Sequence, residues 1–485
     1  MTSSTATTPL QRMLVPQHAL LAVAAMLCAA GAALSALGAM SGNKAMVVVP
    51  VVLAIGTMAA AIAATRFGLF VMLMLALRAS IDVSKLSADD TAGPTASAMS
   101  SRVLTPSTLV VGLFIVAAAL WLLAQRRSGT LHPGTPLRWA WAGFAAAAFI
   151  SLLASTNRTT TMIAATQVLS IALMYIVLEE LMAEVRTRNK ILIAVYVSAL
   201  GPVLYTIAGF ALGDPNGEVK DGIFRIAGTF TQSNSYGRYL MLLILFGIAV
   251  LRHVPRRWRV WFGALIGLFT VLMLLTYTLT AILGAVLGVF VLAIWHGRRV
   301  LIGMVVILCL GVALAPGLAT RVASVTSEPA PYYSADYHPN SMLWRFSYWG
   351  DVLPLAERSP VTGIGLGTTG QVTAQNKQPH NDFLRAYVEE GALGLVAYLL
   401  LLVAMARVGL RAVRSSRTGS LDHSIGAGYL ACVTAFIVTS TSENMFSNVA
   451  VLWYLVAFAA AASSVARPRH LQVDDSGVRV AARNT

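Results

Sequence analysis

The chain reads as an all-α polytopic membrane protein, and three observations predict it. Of 485 residues, 57% are hydrophobic and only 11% charged, where a soluble globular chain carries roughly 25% charged residues. The apolar residues gather into runs near the length a helix needs to cross about 30 Å of hydrocarbon. The basic residues fall unevenly on alternate loops. The runs place helices near 18–40, 45–64, 67–80, 104–124, 137–155, 160–178, 191–212, 235–251, 260–276, 281–296, 300–319, 383–406, 424–441 and 446–465. The run at 67–80 is short, and 260–276 meets 281–296 at the polar Thr276–Thr280 turn, so 12–14 spans are expected.

The first run, from His18 to Met40, is too long for a signal-peptide core and has no clear cleavage site, so it reads as a retained span. The three cysteines, Cys28, Cys309 and Cys432, lie in apolar runs and imply no disulfide framework. A net charge of +15 invites a nucleic-acid partner. In so apolar a chain, basic loops held at the cytoplasmic face are the better account, and no nucleic acid is expected. With the N-terminus inside, 22 of the 35 Lys and Arg fall on inner segments, and 14 of the 20 acids fall on outer ones. Both termini are therefore expected in the cytoplasm.

The resulting map has a cytoplasmic tail at 1–17, membrane helices over 18–212, an outer loop at 213–234 and central helices over 235–319. A large outer loop at 320–381, C-terminal helices over 382–466 and a cytoplasmic tail at 467–485 complete it. A loop of some sixty residues is usually functional or disordered, and the aromatic richness of PYYSADYHPNSMLWRFSYWGDVLPL argues against disorder. Leu343, Phe346, Trp349 and Leu353 recur at helical spacing, which predicts an amphipathic helix on the outer leaflet. Trp344, Tyr348 and Trp349 offer either flat faces for sugar rings or an interfacial aromatic belt.

Few ionisable residues sit mid-span, as a proton pump or transporter would need. They cluster at the outer ends of spans instead, which suits a reaction at the membrane–water boundary. Six of eight histidines map to the cytoplasmic side, leaving His338 and His380 outside. His380 precedes a helix that Asn381 or Asp382 can cap. A helix N-terminus disfavours imidazolium, and a neutral ring can take a proton from a hydroxyl. A lone histidine before a span is ordinarily an interfacial polar residue, but the neighbouring charges favour a site here. Asn381, Arg385 and Glu389 share one helix face, so Arg385 and Glu389 can pair, and Gly391 with Gly394 reads as a step for close helix packing. Arg225 and Arg345 lie on separate outer loops. Each alone could snorkel to a headgroup, but arginine forks also bind diphosphate, and together with His380 they favour an active site.

Two motifs are decoys. GIGLGTTG at 363–370 matches a dinucleotide fingerprint but lacks a strand–turn–helix context, so a tight turn is expected, with backbone N–H groups near a phosphate as an option. Asp89 and Asp90 show no metal-ligand spacing, and neither metal nor cofactor is expected.

Three blocks resemble the O-antigen ligase and O-antigen polymerase superfamily of bacterial membrane glycosyltransferases. They are R-x-x-G-T-F…N-S from Arg225 to Ser235, R-F-S-Y-W…S-P-V-T-G-I-G-L-G from Arg345 to Gly367, and H-N-D-F-L-R…E-x-G-A-L-G from His380 to Gly394. The resemblance implies an undecaprenyl-diphosphate-linked glycan donor and metal-independent transfer to a glycan or lipid hydroxyl. The site would face the exterior of the bacterial inner membrane. His380 would activate the acceptor, and Arg225 and Arg345 would hold the leaving diphosphate. The family often has a Ser-Arg pair where this chain reads TYTLTA, with Leu279 at the expected Arg. Either the alignment shifts there or the contact has moved to Arg238 or Arg321. A polysaccharide flippase or transporter of the same pathway is the alternative.

Overall fold

The computed structural model describes residues 44–81, 106–220, 222–297, 317–326 and 341–467, with a few isolated positions between them. The protein is an all-α polytopic membrane protein, and ten of its described helices are long and apolar enough to cross a membrane. Nearly all of the expected spans at 18–40 and 300–319 lies outside the described residues.

Helices α1 (Lys44–Thr65) and α2 (Phe67–Ile81) precede α3 (Pro106–Arg127), α4 (Pro136–Ile150) and α5 (Arg158–Leu181). One expected span is two stacked helices, α6 (Val185–Val197) and α7 (Leu200–Leu212). A hairpin of β1 (Gly217–Lys220) and β2 (Ile223–Ile226) follows, then α8 (Ser233–Val250), α9 (Arg256–Leu275) and α10 (Leu279–His296). Two short helices, α11 (Gly317–Thr326) and α12 (Ser341–Val352), lead to α13 (Asp382–Ser415), α14 (Leu421–Ser440) and α15 (Val449–Ala466). The break at Thr276–Thr278 falls where the polar turn between two apolar runs was expected.

Helix α15 is the central post of the bundle, packed against α5, α8, α13 and α14. Its run of alanines from Ala459 to Ala462 is buried on all sides, because a methyl is small enough to let helices approach closely all round. The polar groups gather at the two ends. At the end away from His380, Arg138 pairs with Glu179 at 2.7 Å and with Glu180, and His132 lies 2.8 Å from Glu180. His253 and His296 both reach Ser424 there, at 3.0 and 3.2 Å. Among the described residues, His132, His253 and His296 thus lie at the opposite end of the bundle from His380.

Helix α13 is not straight. Gly391 sits at φ 70°, ψ −166° and splits it into a short N-terminal piece and a long apolar one. A Cβ at this position would fall 2.3 Å from the carbonyl of Val361, so glycine alone fits. The N–H groups freed by the kink are taken up by the preceding loop, Ala392 N to Pro360 O at 2.8 Å and Leu393 N to Val361 O at 3.2 Å. The expectation that Gly391 and Gly394 form a helix–helix packing step is therefore corrected. At Gly391 the close approach is to a loop, and the helix breaks there.

Candidate active site

One end of the bundle is built from five separate stretches of chain. The hairpin comes first. Glu218 on β1 stands opposite Arg225 on β2 and pairs with it at 3.2 Å, and Gly222 at φ 74° supplies the left-handed turn. Arg225 is buried and almost wholly committed. Its Nε donates to Thr276 O at 2.8 Å, and its Nη2 donates to Thr278 Oγ1 at 3.2 Å and to Asn234 Oδ1. Only Nη1, whose partner Glu218 is itself half-exposed, can be released to another anion.

The Thr276–Thr278 turn therefore serves as the floor beneath Arg225. An open cleft lies above it, and four cations line its walls: Lys220, Arg225, Arg321 and Arg345. Arg321 arrives on α11 and Arg345 on α12. Burial lowers the pKa of Arg225, against the pull of Glu218 and Glu443. Burial also lowers that of Arg321, helped by the Arg345 charge and opposed by Glu218. Lys220 is lowered by burial and by Arg321, Arg225 and Arg345 in turn. Such a cluster of mutually repelling cations is an anion site by its electrostatics.

Among the expected arginines, Arg225, Arg345 and Arg321 come together and Arg238 does not join them at the wall. Arg238 lies behind, its Nε donating to Asn234 O at 2.9 Å and its Nη1 reaching Met445 Sδ at 3.4 Å. Leu279 and Arg321 both line the cleft.

His380 sits at φ 51°, a left-handed conformation unusual for a residue with a Cβ. Trp344 meets its ring edge-on at 5.8 Å between centroids. Trp349 Nε1 donates to Pro379 O at 2.6 Å and so anchors the residue before it. Asn381 caps α13, its Oδ1 accepting from Phe383 N and Leu384 N at 3.0 and 3.1 Å. Asp382 is not the cap; its Oδ2 accepts from Met445 N at 3.0 Å. Arg385 and Glu389 pair at 2.8 Å as their i, i+4 spacing predicts. Glu389 also accepts from Gly367 N at 2.6 Å and Thr369 N at 3.2 Å. The GIGLGTTG loop thus spends these N–H groups on a carboxylate of the protein, which removes them from any phosphate.

Helix α12 carries the amphipathic pattern expected, with Leu343 and Phe346 exposed and Leu353 exposed just beyond it. Of the aromatics proposed as sugar platforms, Tyr348 is fully buried, stacked on Trp344 at 5.2 Å. It donates to the Lys377 carbonyl, so it steadies the loop and presents no free face.

Sequence reasoning missed Glu443. It lies between α14 and α15, is 3% exposed, and lines the cleft among the four cations. Its Oε2 is 3.5 Å from His380 Nδ1, and its Oε1 is 3.5 Å from Arg345 and 3.3 Å from Asn234 Nδ2. Burial would raise its pKa, but the hydrogen bond from His380 and the charges of Arg238, His380 and Arg345 hold the carboxyl down to about 2. The signal in sequence was a single acid in a short polar break, on the same side of the topology map as His380. Among the described residues no group of three or more His, Cys, Asp or Glu is arranged to hold a metal ion.

The class these features define is a multi-span helical membrane protein with a cationic cleft and an adjoining histidine at one end of the bundle. Residues 266–399 match the family model described as O-antigen ligase, which supports the resemblance to the O-antigen ligase and polymerase superfamily. At the coarse level this supports a membrane glycosyltransferase-type function and lipid-linked glycans as the kind of partner. The match includes Arg321, Arg345 and His380 but not Arg225, Asn234 or Glu443. Comparison with curated proteins returned no match.

Proposed function

We propose that the protein transfers a glycan from undecaprenyl diphosphate to an acceptor hydroxyl at the extracytoplasmic face of the bacterial inner membrane, without a metal. The observation that carries this reading is the convergence of Lys220, Arg225, Arg321 and Arg345 on one cleft whose lining carboxylate, Glu443, adjoins His380. A diphosphate held there relieves the repulsion among the cations and, as it leaves, keeps its new charge neutralised. His380 takes the proton of the acceptor hydroxyl as that oxygen bonds to the anomeric carbon. The bond from that carbon to the diphosphate oxygen breaks on the opposite side, so the configuration inverts. Exposed Leu343, Phe346 and Leu353 fit α12 to the lipid surface, where the polyprenyl chain is anchored and the diphosphate emerges. A flippase needs a polar path through the bundle, and the buried apolar α15 weighs against one.

The test is glycan analysis in a deletion strain complemented with wild type or His380→Ala at equal expression. The alanine variant is expected to yield no transferred glycan, and full restoration would overturn the proposal. Chain-length profiling then assigns the acceptor, because losing a polymerase leaves single repeat units attached whereas losing a ligase leaves glycan on the lipid carrier.

A further inference from the structure

Glu443 is out of place on electrostatic grounds. A cleft suited to a diphosphate gains nothing from a buried carboxylate on its wall, which repels the same ligand that the four cations attract. Its neighbours show where it is directed. The two oxygens divide their contacts, Oε1 toward Arg345 and Asn234 and Oε2 toward His380 Nδ1. The loop that carries it is pinned to the start of α13, because Asp382 accepts from Met445 N two residues further on. His380 is held in a left-handed backbone conformation that costs roughly 1–2 kcal/mol for a residue with a Cβ. Strain of that kind persists where surrounding contacts over-determine it, and it gathers at functional positions. Here the contacts are Trp344 against one edge of the ring and Glu443 at Nδ1.

We propose that Glu443 is the positioning residue for His380: its carboxylate receives the Nδ1–H of the ring and so presents Nε2 as the atom that takes the acceptor's proton. A buried carboxylate behind an imidazole selects one tautomer and steadies the imidazolium formed in the reaction. The 3.5 Å separation is at the outer limit of a hydrogen bond and shortens as positive charge develops on the ring. Held ionised by its cationic neighbours, the carboxylate is ready for this at any working pH. The Oε1 contact with Arg345 gives the same side chain a hold on the donor side of the cleft. One carboxylate therefore sets the spacing between the proton acceptor and a guanidinium facing the leaving group. This assignment rests on the glycan-transfer reading for its chemistry, but its geometry can be read separately.

The other charged groups around the pair come from several elements. Arg345 is on α12, Arg238 on α8 and Arg225 on β2. Lys377 lies 4.8 Å from the Trp344 ring centroid, and Asp382 lies two residues after His380, turned to Met445 and Arg385. Apart from Asp382, these are cations. Removing the Glu443 charge therefore leaves the imidazole facing mostly positive neighbours, without the carboxylate that receives its Nδ1–H.

The test is magic-angle-spinning NMR of the full chain in liposomes with histidine-selective 15N labelling, the His380 signal assigned by its loss in His380→Gln. Wild type is expected to show the Nδ1–H tautomer, and Glu443→Gln is expected to populate the Nε2–H tautomer alongside it. In the complemented deletion strain, Glu443→Gln at equal expression is expected to cut transferred glycan by about a hundredfold, with partial recovery in Glu443→Asp. A merely structural glutamate would leave the tautomer unmoved. An Nε2–H tautomer in wild type, or an unchanged tautomer in Glu443→Gln, overturns the proposal. If Glu443→Gln does not fold, Glu443→Asp carries the same measurement, since its shorter side chain withdraws from Nδ1. Full glycan output from His380→Ala would sink the transfer reading while leaving the NMR result to stand or fall by itself.

Discussion

Replacing Gly391 with alanine tests the kink that sets the start of α13 beside the cleft. Its φ and ψ of 70° and −166° lie in a region that only glycine enters without strain, and forcing another residue there costs roughly 2 kcal/mol. The new Cβ would also lie 2.3 Å from the Val361 carbonyl and 2.6 Å from Gly363 N. Ordinary contact requires the Pro360–Gly363 loop to retreat by about 1 Å. That movement lengthens the bonds from Ala392 and Leu393, each worth about 1 kcal/mol. Together the penalties come to about 4 kcal/mol, a large share of the stability of an ordinary folded domain. The assay is unfolding of the purified protein in detergent micelles, with the free-energy difference taken from the shift in midpoint. The control is Gly267→Ala, in the interior of α9, where a Cβ would meet nothing within 4 Å; that variant is expected to match or slightly exceed wild type. A Gly391→Ala variant within about 0.5 kcal/mol of wild type would refute the reasoning.

Two further outcomes follow from the same geometry. Asn381→Ala removes the acceptor for two first-turn N–H groups and is expected to cost about 1 kcal/mol; an unfolding midpoint equal to that of wild type would show that water replaces the cap fully. The Glu443 carboxyl is held below its ordinary value of 4.5, near 2. Its contribution to stability is then fully present above pH 4.5 and lost as pH falls toward 2. The stability difference between wild type and Glu443→Gln, followed by thermal unfolding across pH, is expected to shrink as pH falls through that window.

Much of the fold was legible because lipid imposes simple rules. Apolar run length marks the spans, and the polar TYTLT break marks the turn between α9 and α10. The Arg385–Glu389 pair was legible for a local reason, since four residues are about one turn of helix. Contacts between distant stretches were not. The Gly367 N–H finds Glu389 only because Gly391 breaks the helix, and a glycine in an apolar run reads equally well as part of a continuous span. Glu443 meets His380 across 63 residues, and no periodicity joins them. The arginines were found as outer-face cations, but separating wall from support required coordinates. Arg321 and Arg238 look alike in sequence, yet one lines the cleft and the other braces Asn234.

The scattering of the cleft along the chain has a consequence for biogenesis. Arg225 precedes the family-matched segment and Glu443 follows it, so the segment is not a transplantable module. Exchanging residues 266–399 between relatives would import Arg321, Arg345 and His380 while leaving their partners to the host chain. During synthesis, too, the nascent protein lacks the Glu443 contacts until α14 and α15 are inserted. Incomplete chains would therefore carry the arginines and the histidine without the carboxylate that ties them together.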